Sequence, residues 1–189
     1  QDELLENAKI AIEYSRTKKA ILEEYMEGME FSIDALVFDG TLTITGFADR
    51  HIYYPPYFIE MGHTMPSVYS PTSSEWLSLA KTFYEGVKAL GLTHGVAKAD
   101  IKLTSKGPMI GEIAARLSGG YMSGWTYPYS SKINLTKQAL LLALNETPKE
   151  VLENREKTSI ENIYNLPSKE VSAERAWISI PGKIEKIID

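Results

Sequence analysis

The chain predicts an α+β fold, an antiparallel β-sheet with flanking helices, on three observations. Residues 93–120, THGVAKADIKLTSKGPMIGEIAARLSGG, read as two strands joined by a tight turn at Ser105-Lys106-Gly107. Asp39-Gly40 lies between two strand-like runs, a strong hairpin signal. Apolar residues recur at helical spacing over 2–16 and 74–90.

Taken in order, Leu5, Ala8, Ala11 and Ile12 give the first helix one apolar stripe, with Asp2 as its N-cap. Ala20 to Met26 is a short apolar-to-acidic strand ending at Gly28. Glu30 to Phe38 and Thr41 to Phe47 are the arms around Asp39-Gly40, an antiparallel meander ahead of the central hairpin. Arg50 to Ser74, rich in Tyr, Pro, Ser and Thr, predicts a long functional loop, since its aromatic content argues against disorder. A helix follows from Ser74, its N-cap, to Leu90, with Leu77, Ala80, Phe83, Tyr84 and Val87 on one face and Gly91 as the stop. Beyond the central hairpin come an aromatic and glycine loop over 121–129, an apolar helix over 133–144 and a polar stretch over 146–170 with one short helical turn. A strand over Ala176–Ile180 then turns at Pro181-Gly182 into Lys183–Ile188. Two units are expected, 1–145 and a C-terminal extension over 146–189 that ends in this hairpin and begins a further small subdomain. No internal repeat is present.

In the central hairpin, Ala97, Ala99, Ile101 and Leu103 alternate on one arm and Met109, Ile113, Ala115 and Leu117 on the other, so one face is buried. The opposite face carries Lys98, Asp100 and Lys102, then Glu112, Ala114 and Arg116. With the turn centred on Lys106, facing residues sum to 212 and Asp100 meets Glu112. Like charges placed directly opposite destabilise a strand pair unless a cation lies between them. A hard divalent ion with oxygen ligands resolves the conflict. A two-residue turn at Lys106-Gly107 would shift the pairing by one and misalign the apolar sets, which favours the first register. The plainer reading is that Lys98 and Lys102 neutralise the acids as an ordinary charged strand face.

The 189 residues, 43% hydrophobic, suffice for one good-sized core or two small lobes. Twenty basic against twenty-five acidic residues, with no basic cluster beside an aromatic stripe, argue against a nucleic-acid partner. No apolar run is long enough to span a bilayer and the N-terminus is not signal-like, so no membrane is expected. The absence of cysteine excludes disulfides and thiolate chemistry and is compatible with a cytoplasmic enzyme. The chain opens at Gln1 in mid-helix, so a fragment or excised domain of a longer parent is expected.

Three blocks in order carry a resemblance: Leu22-Glu23-Glu24-Tyr25-Met26-Glu27-Gly28-Met29-Glu30, Glu60-Met61-Gly62-His63-Thr64-Met65-Pro66-Ser67, and Asp100, Glu112 and Arg116 within the GPMIGEIAARLSGG hairpin. Together they resemble the C-terminal half of the ATP-grasp fold. In motif they are closest to the branch of L-amino-acid ligases, carbamoyl-phosphate synthase-like and biotin carboxylase-like members. The resemblance covers about residues 1–145 and implies an ATP-dependent carboxylate–amine ligase working through an acyl phosphate. It places adenine against the backbone of Glu24 and Met26, with Glu23 at the start of the hinge, and the ribose hydroxyls on Glu30. Asp100 and Glu112 would hold magnesium, with manganese as the alternative ion. Arg116 would contact phosphate or substrate carboxylate, and Glu60 and His63 would line the acceptor pocket. The family usually has Asn two residues after the second acid, where this chain has Ala114.

The implied partners are ATP, a small-molecule carboxylate and amine, and a missing N-terminal lobe; a homo-oligomer is compatible with the sequence. Without that lobe the chain is expected to be inactive. A non-catalytic nucleotide-binding or regulatory module on the same scaffold is the competing class. A metal-dependent hydrolase fits poorly, because one loop histidine beside a hard-oxygen pair is not the site zinc prefers. Plain structural roles compete too: His63 can cap loop polar groups, Arg116 can bridge to Glu112, and Trp125, Tyr127 and Tyr129 can pack rather than wall a pocket.

Overall fold

Both residues of the Asp39-Gly40 turn take positive φ, 48° and 73°, as a two-residue hairpin turn requires, and join β1 (Met29–Phe38) to β2 (Thr41–Tyr53). The computed structural model describes residues 2–179 and 181–187. The second hairpin, β4 (Gly95–Thr104) and β5 (Gly107–Ala114), adds to β1 through β4. With β3 (Ile59–Met65) and β8 (Ser172–Arg175), the sheet order is β5-β4-β1-β2-β3-β8. The first half of β2 also pairs in parallel with β7 (Ile163–Asn165), which pairs with β6 (Glu156–Lys157).

One face of the sheet is apolar throughout. Phe31, Ile33 and Ala35 of β1, Ala97, Ala99 and Ile101 of β4, and Ile44 and Phe47 of β2 pack against Trp76, Leu79, Ala80, Phe83 and Val87 of α2 (Ser74–Ala89). The other face is split. Its upper half is dry: Leu36, Ala48 and Met65 lie under a π turn (Met122–Thr126), α3 (Tyr127–Ser131), α4 (Leu135–Ala143) and α5 (Lys149–Asn154), with Met122, Tyr127, Leu135, Leu142 and Val151 buried. Gly46 admits the Tyr127 ring, which an added Cβ would meet at 2.3 Å. The lower half carries the charged residues described below. α1 (Asp2–Tyr14) forms as expected but buries none of its residues. No helix is long and apolar enough to cross a membrane among the described residues.

Several sequence expectations are corrected. The strand expected over 20–26 is irregular, because its apolar residues Ile21, Leu22 and Tyr25 stay exposed and no described strand pairs with it. The long loop expected from Arg50 to Ser74 contains the end of β2 and all of β3; Pro55-Pro56 marks only the turn between them. The N-cap of α2 is Ser73, whose hydroxyl accepts from Trp76 N, rather than Ser74. Asp2 already lies within α1, as its first described residue, rather than capping it.

The aromatic loop over 121–129 is a π turn followed by a short helix, and Tyr127 belongs to the core, its hydroxyl donating to Ser32 O at 3.0 Å. The polar stretch over 146–170 contains β6 and β7 besides its helical turn. The last strand among the described residues is β8, four residues before the expected one, and residues 176–179 are irregular. Ile180 and Ile188, ends of the expected terminal hairpin, lie outside the described residues, and 183–187 form no strand.

The central hairpin corrects the register in an instructive way. Its turn is two residues, Ser105-Lys106, so Thr104 pairs with Gly107 and Ile101 with Ile110. One extra residue, Gly111, then forms a bulge, and from Asp100↔Glu112 onward the pairs sum to 212 as expected. Met109 consequently lies opposite Lys102, not on the buried face, and Ile110 joins Ile113 against α2 at Gly86. Ala115 and Leu117 lie beyond the end of β5.

Candidate functional site

The period of two along each strand sets the floor of the site. On β1, Glu30, Ser32 and Asp34 face away from α2, and their partners on β4 are Lys102, Asp100 and Lys98. Arg50, near the end of β2, reaches into the middle of this row. Its Nη1 lies 2.5 Å from Glu30 Oε1 and 3.1 Å from Asp100 Oδ1, and its Nη2 contacts Glu60 Oε2. One guanidinium thus joins three strands. Lys102 adds a 3.3 Å ion pair to Glu30.

Asp100 and Glu112 stand directly opposite each other, and Lys98 lies between them, contacting Asp100 Oδ2 and placed 3.4 Å from Glu112 Oε1. The plain charged-face arrangement therefore exists, and it leaves the acids on the same face. The two carboxylates are hard oxygen donors. No trio of His, Cys, Asp and Glu completes an all-protein metal cage among the described residues, and Ala114 offers no side-chain oxygen. This set fits magnesium, which usually takes one or two carboxylates and completes its shell with waters and phosphate oxygens. It does not suit an ion that demands a full protein shell.

Residues 24–27 arch over the hairpin tip. Lys102 Nζ donates to Met26 O at 3.2 Å and sits 5.6 Å from the centre of the Tyr25 ring, while Lys106 pairs with Glu24. A cleft of about 230 Å³ lies between Glu24, Tyr25, Met26 and Glu27 on one side and Thr104, Ser105, Lys106 and Met109 on the other. A smaller cavity of about 140 Å³ shares Met26 and is lined by Glu30, Asp100, Lys102 and Gly111. A larger cavity, about 400 Å³, is lined by residues such as Phe47, Met65, Tyr69, Trp76 and Leu166. It shares no residue with the charged cluster and has no cationic side chain to meet a phosphate.

The expected site residues fall into groups. Glu24, Met26, Glu30 and Asp100 line the two cavities; Glu112 lines neither and stands opposite Asp100, next to Gly111. Glu60 and His63 lie beyond Arg50 on β3, with His63 Nε2 2.8 Å from Glu60 Oε1. The Gly119-Gly120 loop covers them: a side chain at Gly120 would begin 3.8 Å from Glu60 Oε1. Arg116 is exposed and lies 3.5 Å from Glu112. Glu23 lines neither cavity.

Reading the sequence missed Arg50, taken for the first residue of a loop, and Glu174 on β8, placed opposite His63. Continuing the strand pattern of β2 past Phe47 would have found Arg50. Nothing local points to Glu174.

Burial shapes two groups here. Asp34 is fully buried, and that desolvation raises its pKa above 3.8 even though Ser118 Oγ, Ser118 N at 3.2 Å and Ser123 Oγ all donate to it and Lys98 is near. This carboxyl ties the loop after β5 to the sheet. Burial shifts His63 the other way, lowering its pKa below 6.5 against the opposing pull of Glu174. For Asp34 the linkage sign is clear: the folded state keeps its proton to higher pH than the unfolded chain, so this residue's contribution to stability falls as pH rises from about 3.8 through the folded pKa. Asp34→Asn is expected to remove that slope, because the amide does not titrate and can still bond both serines. Urea unfolding of both proteins over a pH series checks it; an unchanged slope contradicts the assignment.

The ATP-grasp domain family matches residues 2–124. Carnosine synthase 1 of Gallus gallus is 31% identical over 128 residues, 68% of this chain and 13% of that protein. The L-amino acid ligase of Bacillus licheniformis superposes with a TM-score of 0.60 at 25% identity, over 69% of this chain and 34% of that one. The biotin carboxylase domain of the Hydrogenobacter thermophilus 2-oxoglutarate carboxylase, solved with MgADP and bicarbonate, gives 0.65 at 16% identity, over 92% of this chain and 36% of that one, a likeness of fold alone.

Proposed function

Because the chain belongs to the ATP-grasp family, we propose that it is the nucleotide- and magnesium-holding half of an ATP-dependent carboxylate–amine ligase. The observation that carries this is the pairing of Asp100 with Glu112 on the open charged face, beside the cleft under residues 24–27. The chain spans 13% of the length of the chicken carnosine synthase it matches, and the other lobe is assigned to a longer parent.

In this reading the backbone of Glu24 and Met26 takes the adenine edge, with Glu23 at the hinge start, and Glu30, oriented by Arg50 and Lys102, accepts from the ribose hydroxyls. Asp100 and Glu112 hold magnesium, or manganese, which when bound neutralises phosphate charge. Lys98, released from between the acids, is left to face the phosphates. A carboxylate oxygen of the donor attacks the γ-phosphorus as its bond to ADP breaks, giving an acyl phosphate. The amine nitrogen then attacks the acyl carbon, phosphate departs and the nitrogen loses a proton. Arg116, exposed and 3.5 Å from Glu112, orients a phosphate or carboxylate, and Glu60 and His63 line the amine pocket.

Ala114 favours one second reading, a nucleotide-binding or regulatory module without catalysis, because it brings no third side-chain oxygen beside Glu112. The full-length parent separates the two. Magnesium-dependent ATP binding by calorimetry, together with phosphate release on adding paired amino and carboxylic acids, supports the ligase. Nucleotide binding without turnover supports the module, and no magnesium-dependent binding overturns the metal-site assignment. The 189 residues alone are expected to turn over no ATP.

A further inference from the structure

His63 is held between two acids from different strands. Its ring is 1% exposed; Nε2 faces Glu60 Oε1 at 2.8 Å and Nδ1 faces Glu174 Oε2 at 3.4 Å. Glu174 is there because β8 pairs with β3 in a register that sets it opposite His63. That close approach depends on Gly62, where an added Cβ would meet Glu174 O at 2.1 Å. Glu174 lies outside the residues that match the family.

The two acids are not equivalent. Glu60 is already neutralised through its second oxygen by Arg50, whereas Glu174 has no lysine or arginine side chain paired with its carboxylate among the described residues. A neutral imidazole has one N–H, so it can donate to only one of them. The Glu60 contact is shorter, but neither ring nitrogen nor Glu174 Oε2 makes a well-directed hydrogen bond, and all three atoms are sealed from solvent. Glu174, the uncompensated acceptor, is the stronger claimant for the proton. The other charged groups acting on the ring are Arg50 of β2 and Asp100 of β4, and His51 of β2 is close enough to feel its charge.

We propose that Glu174 is a positioning residue for His63: it receives the Nδ1–H and leaves Nε2 to accept, through the part-exposed Glu60 carboxylate, the proton an amine substrate must shed. This rests on the ligase reading for its use. An ammonium group carries no lone pair; transfer of one proton to the Glu60 carboxylate and on to Nε2 frees the nitrogen to attack and forms an imidazolium whose two N–H groups then meet Glu174 and Glu60. Burial holds the ring neutral until that proton arrives. The pocket thereby stabilises the protonated ring when it is needed.

The test needs no substrate. The chain has three histidines, so the imidazole nitrogens of the isotopically labelled protein resolve readily by correlated proton–nitrogen spectra, with His63→Asn giving the assignment. The expected result is a neutral His63 protonated at Nδ1. Glu174→Gln, whose carbonyl still accepts, keeps that tautomer, whereas Glu174→Ala moves the proton to Nε2 in most molecules and leaves His51 and His94 unchanged. An Nε2–H tautomer in the parent protein, or one that Glu174→Ala does not move, overturns the proposal. Glu174→Gln guards against misfolding, being close in shape. Loss of magnesium-dependent ATP binding with the tautomer intact counts against the ligase reading alone.

Discussion

Glu112→Gln is expected to leave the chain as stable as before, within about 0.5 kcal/mol, and to lower magnesium-dependent ATP turnover of the proposed parent ligase by roughly 10²–10³-fold. The two halves of that expectation come from different features. Glu112 is about half exposed, and its ionic contacts are at 3.4 Å to Lys98 and 3.5 Å to Arg116, so its folding role is small. Its functional weight lies in being one of two oxygen donors, since metal-assisted phosphoryl transfer draws several kcal/mol from charge neutralisation. Glutamine keeps the shape and discards the charge. Denaturant unfolding and phosphate release against magnesium concentration measure both halves. Turnover unchanged at limiting magnesium would remove Glu112 from the metal site.

Arg50→Met is expected to have the reverse profile, a loss of about 3 kcal/mol in unfolding free energy before any activity is considered. Methionine preserves most of the stem's packing, but Glu30, Glu60 and Asp100 lose the guanidinium they share. Removing one partner of a buried ionic group leaves charges uncompensated, which typically costs about 3–5 kcal/mol. The lower end applies here because Lys102 and Lys98 still face Glu30 and Asp100. Glu60→Gln on top of Arg50→Met is expected to recover part of the loss, since Glu60 has no other strong cation. Guanidinium unfolding of the two variants decides it; a change under about 1 kcal/mol for Arg50→Met would show that the acids are adequately solvated without it.

Much of this architecture was legible because its signals are local. Asp39-Gly40 specified its turn through backbone conformation alone, and the stripe Ala80, Phe83, Val87 specified α2. The meeting of Asp100 and Glu112 was also anticipated, but through two errors that cancel: the turn is one residue shorter than supposed, and Gly111 restores the count. Met109 shows the cost, since it lies between turn and bulge and points the other way. Residues 20–26 have strand-like composition and no strand to pair with among the described residues, so propensity had nothing to act on. Arg50 was hidden by prolines that follow it. Glu174 depends on a pairing between segments more than a hundred residues apart, which no window of sequence contains.

Gly111 is supernumerary to the ladder: without it Ile110 and Glu112 would follow one another and still oppose Ile101 and Asp100. The pairing of the acids is thus independent of the residue that bends the strand beside them. What Gly111 contributes is curvature, since a bulge sharpens twist, and a stretch of bare main chain in the small cavity at Asp100. The contour of the pocket floor can therefore be altered by excising one residue, while every charged group and every cross-strand partner stays in place.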